Sequence, residues 1–179
     1  MLDQDTQEKM NMNLIIRDEN PTDINAIFDL TRLAFEREEY SSHTEQFIVN
    51  ALRDSNQLTL SLVAESDHQV IGHIAFSPVQ ISDATTGWYG LGPISVLPDF
   101  QGKGIGAKLI HAGLEALKDL DALGCVLLGD PKYYGRFGFK ADPKLILDGV
   151  PAEYFQVLPF YDHTPTGNVT YSDAFNATE

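Results

Sequence analysis

Residues 88–120 constrain the fold more than any other stretch of this chain. Trp88 to Val96 has the composition of a strand, yet Gly90, Gly92 and Pro93 lie inside it. Proline cannot donate to a ladder and glycine weakens a strand interior. Such a strand is expected to bulge or to part from a neighbour, and the gap lets a ligand reach the backbone. The chain then turns through Leu97-Pro98-Asp99-Phe100 into Gln101-Gly102-Lys103-Gly104-Ile105-Gly106. A helix follows over 104–120, where Ile105, Leu109, Ile110, Leu114 and Leu117 recur at three- and four-residue steps. A helix start leaves backbone N–H groups unpaired and carries partial positive charge, so anions settle there. Glycines let the backbone approach a diphosphate with no Cβ in the way. Lys103 adds a formal charge, and Gln101 can donate through its amide. A tight turn that merely needs glycine is the simpler reading, and three glycines at alternate positions weigh against it.

The loop departs from two familiar phosphate-binding patterns. A Walker loop closes on Gly-Lys-Ser/Thr, where this chain has Gly106-Ala107-Lys108. A dinucleotide fingerprint reads G-x-G-x-x-G, whereas this loop reads G-x-G-x-G. Asp130, after the next strand, could imitate the acid that binds ribose in that fold. The upstream sequence argues otherwise, because a dinucleotide fold has no need of two helices, a hairpin and a proline-broken strand before the loop.

The remaining elements fit around this centre. Residues 13–17 form a short strand candidate. Pro21-Thr22-Asp23 opens a helix through Phe35, and Thr44 is placed to cap a second helix with Phe47, Ile48, Ala51 and Leu52 as its apolar face. Residues 58–64 and 70–81 read as a hairpin about Glu65-Ser66-Asp67-His68-Gln69. Residues 125–129 form a continuous apolar strand, 131–136 a short helix, and 154–158 with 168–171 a closing pair of strands. The expected architecture is α/β (α+β), one sheet flanked by helices. At 179 residues the chain suits one domain, over 14–175, behind a flexible N-terminal leader, residues 1–13.

Composition narrows the partners. A formal charge of −14 disfavours nucleic acid and anionic membrane surfaces, and suits a cationic substrate as well as ordinary solubility. No apolar run approaches the roughly 18 residues of a membrane span, and the polar start lacks the features of a signal peptide. The single Cys125 lies in an apolar run, reads as a small buried hydrophobe, and fits a cytoplasmic protein. The five histidines show no metal-ligand spacing, so no metal is expected.

Several segments together resemble the GNAT family of N-acetyltransferases. Gln101-Gly102-Lys103-Gly104-Ile105-Gly106 matches its Q/R-x-x-G-x-G/A signature, and Ile94-Ser95-Val96-Leu97-Pro98-Asp99-Phe100 the strand and turn leading into it. Tyr134-Gly135-Arg136-Phe137-Gly138-Phe139 looks like the closing Y-x-x-x-G-F segment. Gly90-Leu91-Gly92-Pro93, Leu127-Leu128-Gly129-Asp130-Pro131 and Gly149-Val150-Pro151-Ala152-Glu153-Tyr154-Phe155 are similar to the YhbS-like branch.

The resemblance implies a mixed, mostly antiparallel sheet splayed at the cofactor site, and acetyl-CoA as cosubstrate. By position, Ile94, Ser95 and Val96 would face the pantetheine, and Gln101, Gly102, Lys103, Gly104, Ile105 and Gly106 the diphosphate. Tyr134 maps to the proton donor for the departing thiolate, with Tyr133 its adjacent competitor. The implied reaction is direct attack by a primary amine, of a small molecule or a protein, on the thioester. A non-catalytic acyl-CoA-binding module of the same fold is the alternative. No general base is legible: Leu91-Gly92-Pro93-Ile94 offers no carboxylate, and His73 and Asp99 read better as a strand histidine and a turn residue. Phe35, Arg37, Glu38, Glu39 and Tyr40 are candidates for acceptor contacts, or simply a solvated helix end. The closing strands of such folds often meet a second chain, which leaves room for a homodimer.

Overall fold

Short-range patterns account for most of the elements. The computed structural model describes residues 13–179, so the expected leader lies outside the described residues except for Asn13. Strand β1 (Leu14–Asp18) leads through a turn at Pro21–Asp23 into helix α1 (Ile24–Phe35), and α2 (Glu45–Asp54) follows. Arg17 ties the start of α1 to the sheet, bonding Asp23 Oδ2 at 2.7 Å and Glu65 Oε2 at 2.6 Å. That pairing holds the Asp23 carboxyl below its ordinary range. Thr44 precedes α2 but does not cap it with its side chain; its hydroxyl bonds Ser42 Oγ at 2.6 Å.

Strands β2 (Leu60–Ser66) and β3 (Gln69–Pro78) form the expected hairpin, with Asp67 and His68 at φ of 48° and 65°. Two consecutive left-handed residues are what a two-residue turn needs to match the twist of its strands. β4 (Gln80–Ile81), β5 (Trp88–Val96), α3 (Ile105–Asp119), β6 (Gly124–Leu128) and the single turn α4 (Pro131–Tyr134) come next. The chain ends with β7 (Leu145–Ile146), β8 (Phe155–Pro159) and β9 (Gly167–Thr170).

The main sheet has six strands in the order β1-β2-β3-β5-β6-β8. Only the β5–β6 pair is parallel. Helix α3 covers one face, its Leu109, Ile110 and Leu117 fully buried against Ile74 and Phe76; α1 and α2 cover the other through Ile27, Val49 and Val63. The expectation of a closing pair of strands is wrong in its partners. β8 joins β6 in the main sheet, whereas β9 pairs with β4 and β7 in a separate three-stranded sheet. This small sheet packs Ile81, Leu145 and Val169 against Trp88, Phe155 and Val157 of the main sheet, so β8 and β9 meet through side chains in one apolar cluster and not as ladder partners. Among the described residues, no helix is long and apolar enough to cross a membrane.

A polar layer lies under α1 and α2. His73 is fully buried on β3, its Nε2 2.7 Å from Ser61 Oγ, its Nδ1 without a partner among the described residues. Burial, reinforced by Arg53, pushes its pKa down to about 3, so the native ring is neutral. The unfolded chain takes up this proton near pH 6.5, the native chain only near 3. The neutral-ring contribution is therefore complete above pH 6.5 and lost as pH falls towards 3, by about 1.4 kcal/mol per unit. Urea unfolding between pH 7.5 and 5 is expected to show a steeper loss for the wild type than for His73→Gln; parallel curves would contradict this.

Candidate active site

The gap expected beside Gly92 and Pro93 is present. Between Ile74 and Phe76 on β3 the register of β5 runs from Ile94 to Leu91, one residue more than its partner, and the Gly92–Pro93 peptide is cis. On the other side, β5 pairs with β6 only over Trp88–Gly90 against Gly124–Val126. Beyond Leu91, whose backbone still bonds to Cys125 of β6, β5 has β3 on one edge and no paired residue of β6 on the other. Leu97 N–H donates to Ile71 C=O at 2.9 Å, so the alternation of a strand turns Ser95 towards β3 and Ile94 and Val96 towards the open edge. Gln101 Nε2 donates to Val96 C=O across that edge at 2.9 Å. The hydroxyl of Ser95 donates to Thr31 Oγ1 at 3.2 Å, which binds β5 to α1. Of the three residues implied by the resemblance, two present backbone groups to the gap and one faces away.

The loop ends at an uncapped helix. Gly104 is the N-cap of α3 in the left-handed region, with no side-chain cap, and the first turn holds no acid. The early N–H groups therefore keep their dipole end uncompensated. Gly102 and Gly104 have φ of 74° and 81°, and a Cβ at either would meet nothing within 4 Å. Their glycine requirement is thus conformational, and the space above them is open, as an anion cradle requires. Gly106 differs: its φ is helical, and a Cβ there would come within 3.3 Å of the Tyr133 hydroxyl. Lys103 lies with its Nζ 5.8 Å from the centre of the Phe100 ring.

Beyond the gap, β6 is followed by Gly129, which is held from both sides. Its N–H donates to Tyr154 C=O at 2.9 Å, and Gln156 Nε2 donates to its carbonyl at 2.9 Å. Asp130 caps α4 by accepting from Lys132 N–H at 2.9 Å, which gives this acid a structural task in place of ribose binding. The Tyr134 ring lies against Gly129, where a Cβ would overlap it, and edge-on to Tyr133 with centroids 4.9 Å apart. Burial, helped by Tyr133, pushes the Tyr134 phenol up to about 12. The two tyrosines therefore diverge, Tyr134 beside the end of β6 and Tyr133 over the first turn of α3. Cys125 is fully buried, which raises its thiol pKa and keeps it from acting as a nucleophile.

A cavity of about 350 Å³ adjoins the strand break, bounded by Gly92 and Pro93 on β5, Leu128 on β6, Phe35 on α1 and Glu45 on α2. A second, of about 560 Å³, runs from Leu128 past Gly129 and Asp130 to Tyr40 and Tyr154. Phe35 and Tyr40 thus reach these spaces, while Arg37, Glu38 and Glu39 are exposed and line neither. Glu45 was missed because an acid in a first helical turn reads as a partner for the helix dipole. Among the described residues no cluster of His, Cys, Asp and Glu is arranged to hold a metal.

The conformational demand at Gly104 is separable from its steric one. Gly104→Ala is expected to cost about 1 kcal/mol in denaturant unfolding, and Gly104→Asn less, because asparagine tolerates the left-handed region. Equal losses would mean that space, and not φ, sets the requirement.

Residues 24–139 match the Acetyltransferase (GNAT) family. The chain is 37% identical over 171 residues to the uncharacterized N-acetyltransferase YhbS of Escherichia coli strain K12, spanning 91% of this chain and 99% of that one. The crystal structure of a GNAT family acetyltransferase from Brucella melitensis in complex with acetyl-CoA is similar at a TM-score of 0.82 and 53% identity, over 91% of this chain and 98% of that one. The structure of Escherichia coli YhbS in complex with CoA gives a TM-score of 0.84 at 36% identity, over 94% of each chain. The splayed, mostly antiparallel sheet and the loop before α3 agree with these matches: the chain belongs to the GNAT family of acetyltransferases.

Proposed function

We propose that residues 14–175 form a single catalytic domain that acts in the cytoplasm and transfers the acetyl group of acetyl-CoA to a primary amine of a small molecule or protein. The observation that carries this reading is the parting of β5 from β6 directly ahead of the uncapped start of α3. A strand edge without a ladder partner beside a helix N-terminus suits an extended amide-bearing arm that ends in a diphosphate. The acetyl-CoA complex of the Brucella melitensis relative supports the same assignment.

When bound, acetyl-CoA supplies a thioester whose carbonyl a neutral amine can attack. In the proposed arrangement the backbone groups of Ile94 and the N–H of Val96 hold the pantetheine arm, and a backbone N–H on the open edge of β5 steadies the developing oxyanion. Ser95 contributes through its bond to Thr31, which keeps β5 in place while β6 diverges. Gly102, Gly104, Ile105 and Gly106 offer N–H groups to the diphosphate, with Lys103 adding positive charge. Gln101 shapes the loop through its bond to Val96. Tyr134, kept protonated by burial beside the end of β6, is the proton donor to the departing thiolate. Tyr133, over Gly106, borders the cradle instead.

Calorimetric titration with acetyl-CoA, with NAD and ATP as controls, is expected to show binding of acetyl-CoA alone. Gly104→Asp, which sets a carboxylate at the anion site, is expected to abolish it. Absence of acetyl-CoA binding by the wild type, or equal binding by the variant, would refute the reading.

For the chemistry, Tyr134→Phe is expected to lower kcat about 100-fold, with Tyr133→Phe acting mainly on the KM for acetyl-CoA. Because the Tyr134 phenol holds its proton up to about 12, kcat/KM should rise with pH as the amine loses its proton, with no falling limb below about pH 10. A falling limb that disappears in Tyr134→Phe would place the phenol's titration, and its environment, elsewhere.

A further inference from the structure

The cavity beside Gly92 and Pro93 is apolar except for one charged group. Phe35, Ile48, Leu91, Leu147 and Phe175 supply its walls, and Glu45 is the charged residue among those lining it. Tyr171, also lining it, has its phenol pKa raised by burial and by Cys125, so it stays a neutral hydroxyl. Glu45 Oε1 accepts from Ser41 Oγ at 2.6 Å. Its Oε2 is buried and has no hydrogen-bond partner among the described residues. Stabilising the start of α2 accounts for an acid at this position but not for an oxygen withdrawn from water without a donor. An ionised carboxylate has room for about four hydrogen bonds, and its burial is costly unless paired.

We propose that Glu45 binds the ammonium group of the acceptor, and that the acceptor is a primary amine carried on an apolar body. This deepens the acetyl-transfer reading and rests on it for the position of the thioester alone. An ammonium supplies both the opposite charge and the donors that Oε2 lacks. Gly92 and Pro93 on one side and Leu128 on the other place the cavity at the mouth of the gap between β5 and β6. Glu45 lines the cavity, and the terminal torsion of a glutamate is soft, so its carboxylate can turn to meet a cation there. The apolar walls offer no second acid, which selects an aliphatic or aromatic monoamine over a polyamine or a peptide lysine set among other charges. Its volume suits a small ligand.

The test compares 2-phenylethylamine with 2-phenylethanol, its neutral counterpart, by calorimetry on the full chain with and without saturating CoA. The wild type is expected to favour the amine by about 10- to 100-fold. Glu45→Gln should abolish that preference, and Glu45→Asp, which keeps the charge, should retain part of it. Unchanged CoA affinity and melting temperature in Glu45→Gln exclude a folding defect. A wild type that does not distinguish amine from alcohol overturns the inference without any variant, as does a preference that survives in Glu45→Gln. Spermidine binding more tightly than 2-phenylethylamine would overturn the substrate class. Failure of CoA to bind in the same titrations would instead remove the acetyl-transfer reading and leave the ammonium site to be judged by the CoA-free arm.

Discussion

The contact that β5 fails to make with β6 organises the molecule. A parallel pair starts at Trp88 and Gly124 and ends at Gly90 and Val126, although both strands continue. Two features keep the sheet from collapsing across the gap. β5 remains bonded to β3 up to Val96 and is tied from behind by Ser95 to Thr31. β6 remains bonded to β8 up to Leu128, and Gly129 is fixed by Gln156 and by the backbone of Tyr154. Each half therefore has its own partner, and the unpaired backbone between them is sustained by the rest of the fold.

Side chains on the two faces divide the work. The face under α3 is almost entirely apolar, with Ile74, Phe76, Leu109 and Leu117 fully buried. The face under α1 and α2 carries Thr31, Ser61, His73 and Ser95 in a hydrogen-bonded layer. A polar layer between a helix and a sheet costs free energy unless its members pair, and here the pairing also settles how α1 sits on β5. The cavity beside Gly92 and Pro93 is bounded by those same two helices, through Phe35 of α1 and Glu45 and Ile48 of α2.

The sequence made the centre of the fold legible and its margins less so. A proline and two glycines inside 88–96 announced a disturbed strand because proline lacks a donor wherever it sits, and the structure shows both a bulge and a separation there. The helix over 105–119 was readable because its apolar spacing is local. The partners of β8 and β9 were not, since strand pairing depends on which apolar surfaces meet across the chain, and the two-residue strands β4 and β7 carry too few residues to show alternation. At the site, the glycines of 101–106 were legible by position, but left-handed φ at Gly102 and Gly104, not crowding, proved to be their reason. Glu45 escaped notice because only tertiary packing buries its second oxygen.

An unpaired strand edge ordinarily invites other chains to align along it, and proteins blunt such edges with charge, bulges or cover. The free edge of β5 lies inside the sheet, between strands that belong to the same molecule, and only the short stretch from Gly92 to Val96 lacks a β6 partner there. The notch is flanked by β3 on one side and on the other by β6, which is itself paired with β8. The fold can thus keep main-chain groups such as the Val96 N–H available on an edge bracketed by its own strands. Interior placement does for this edge what charges, bulges or cover do for an outer one.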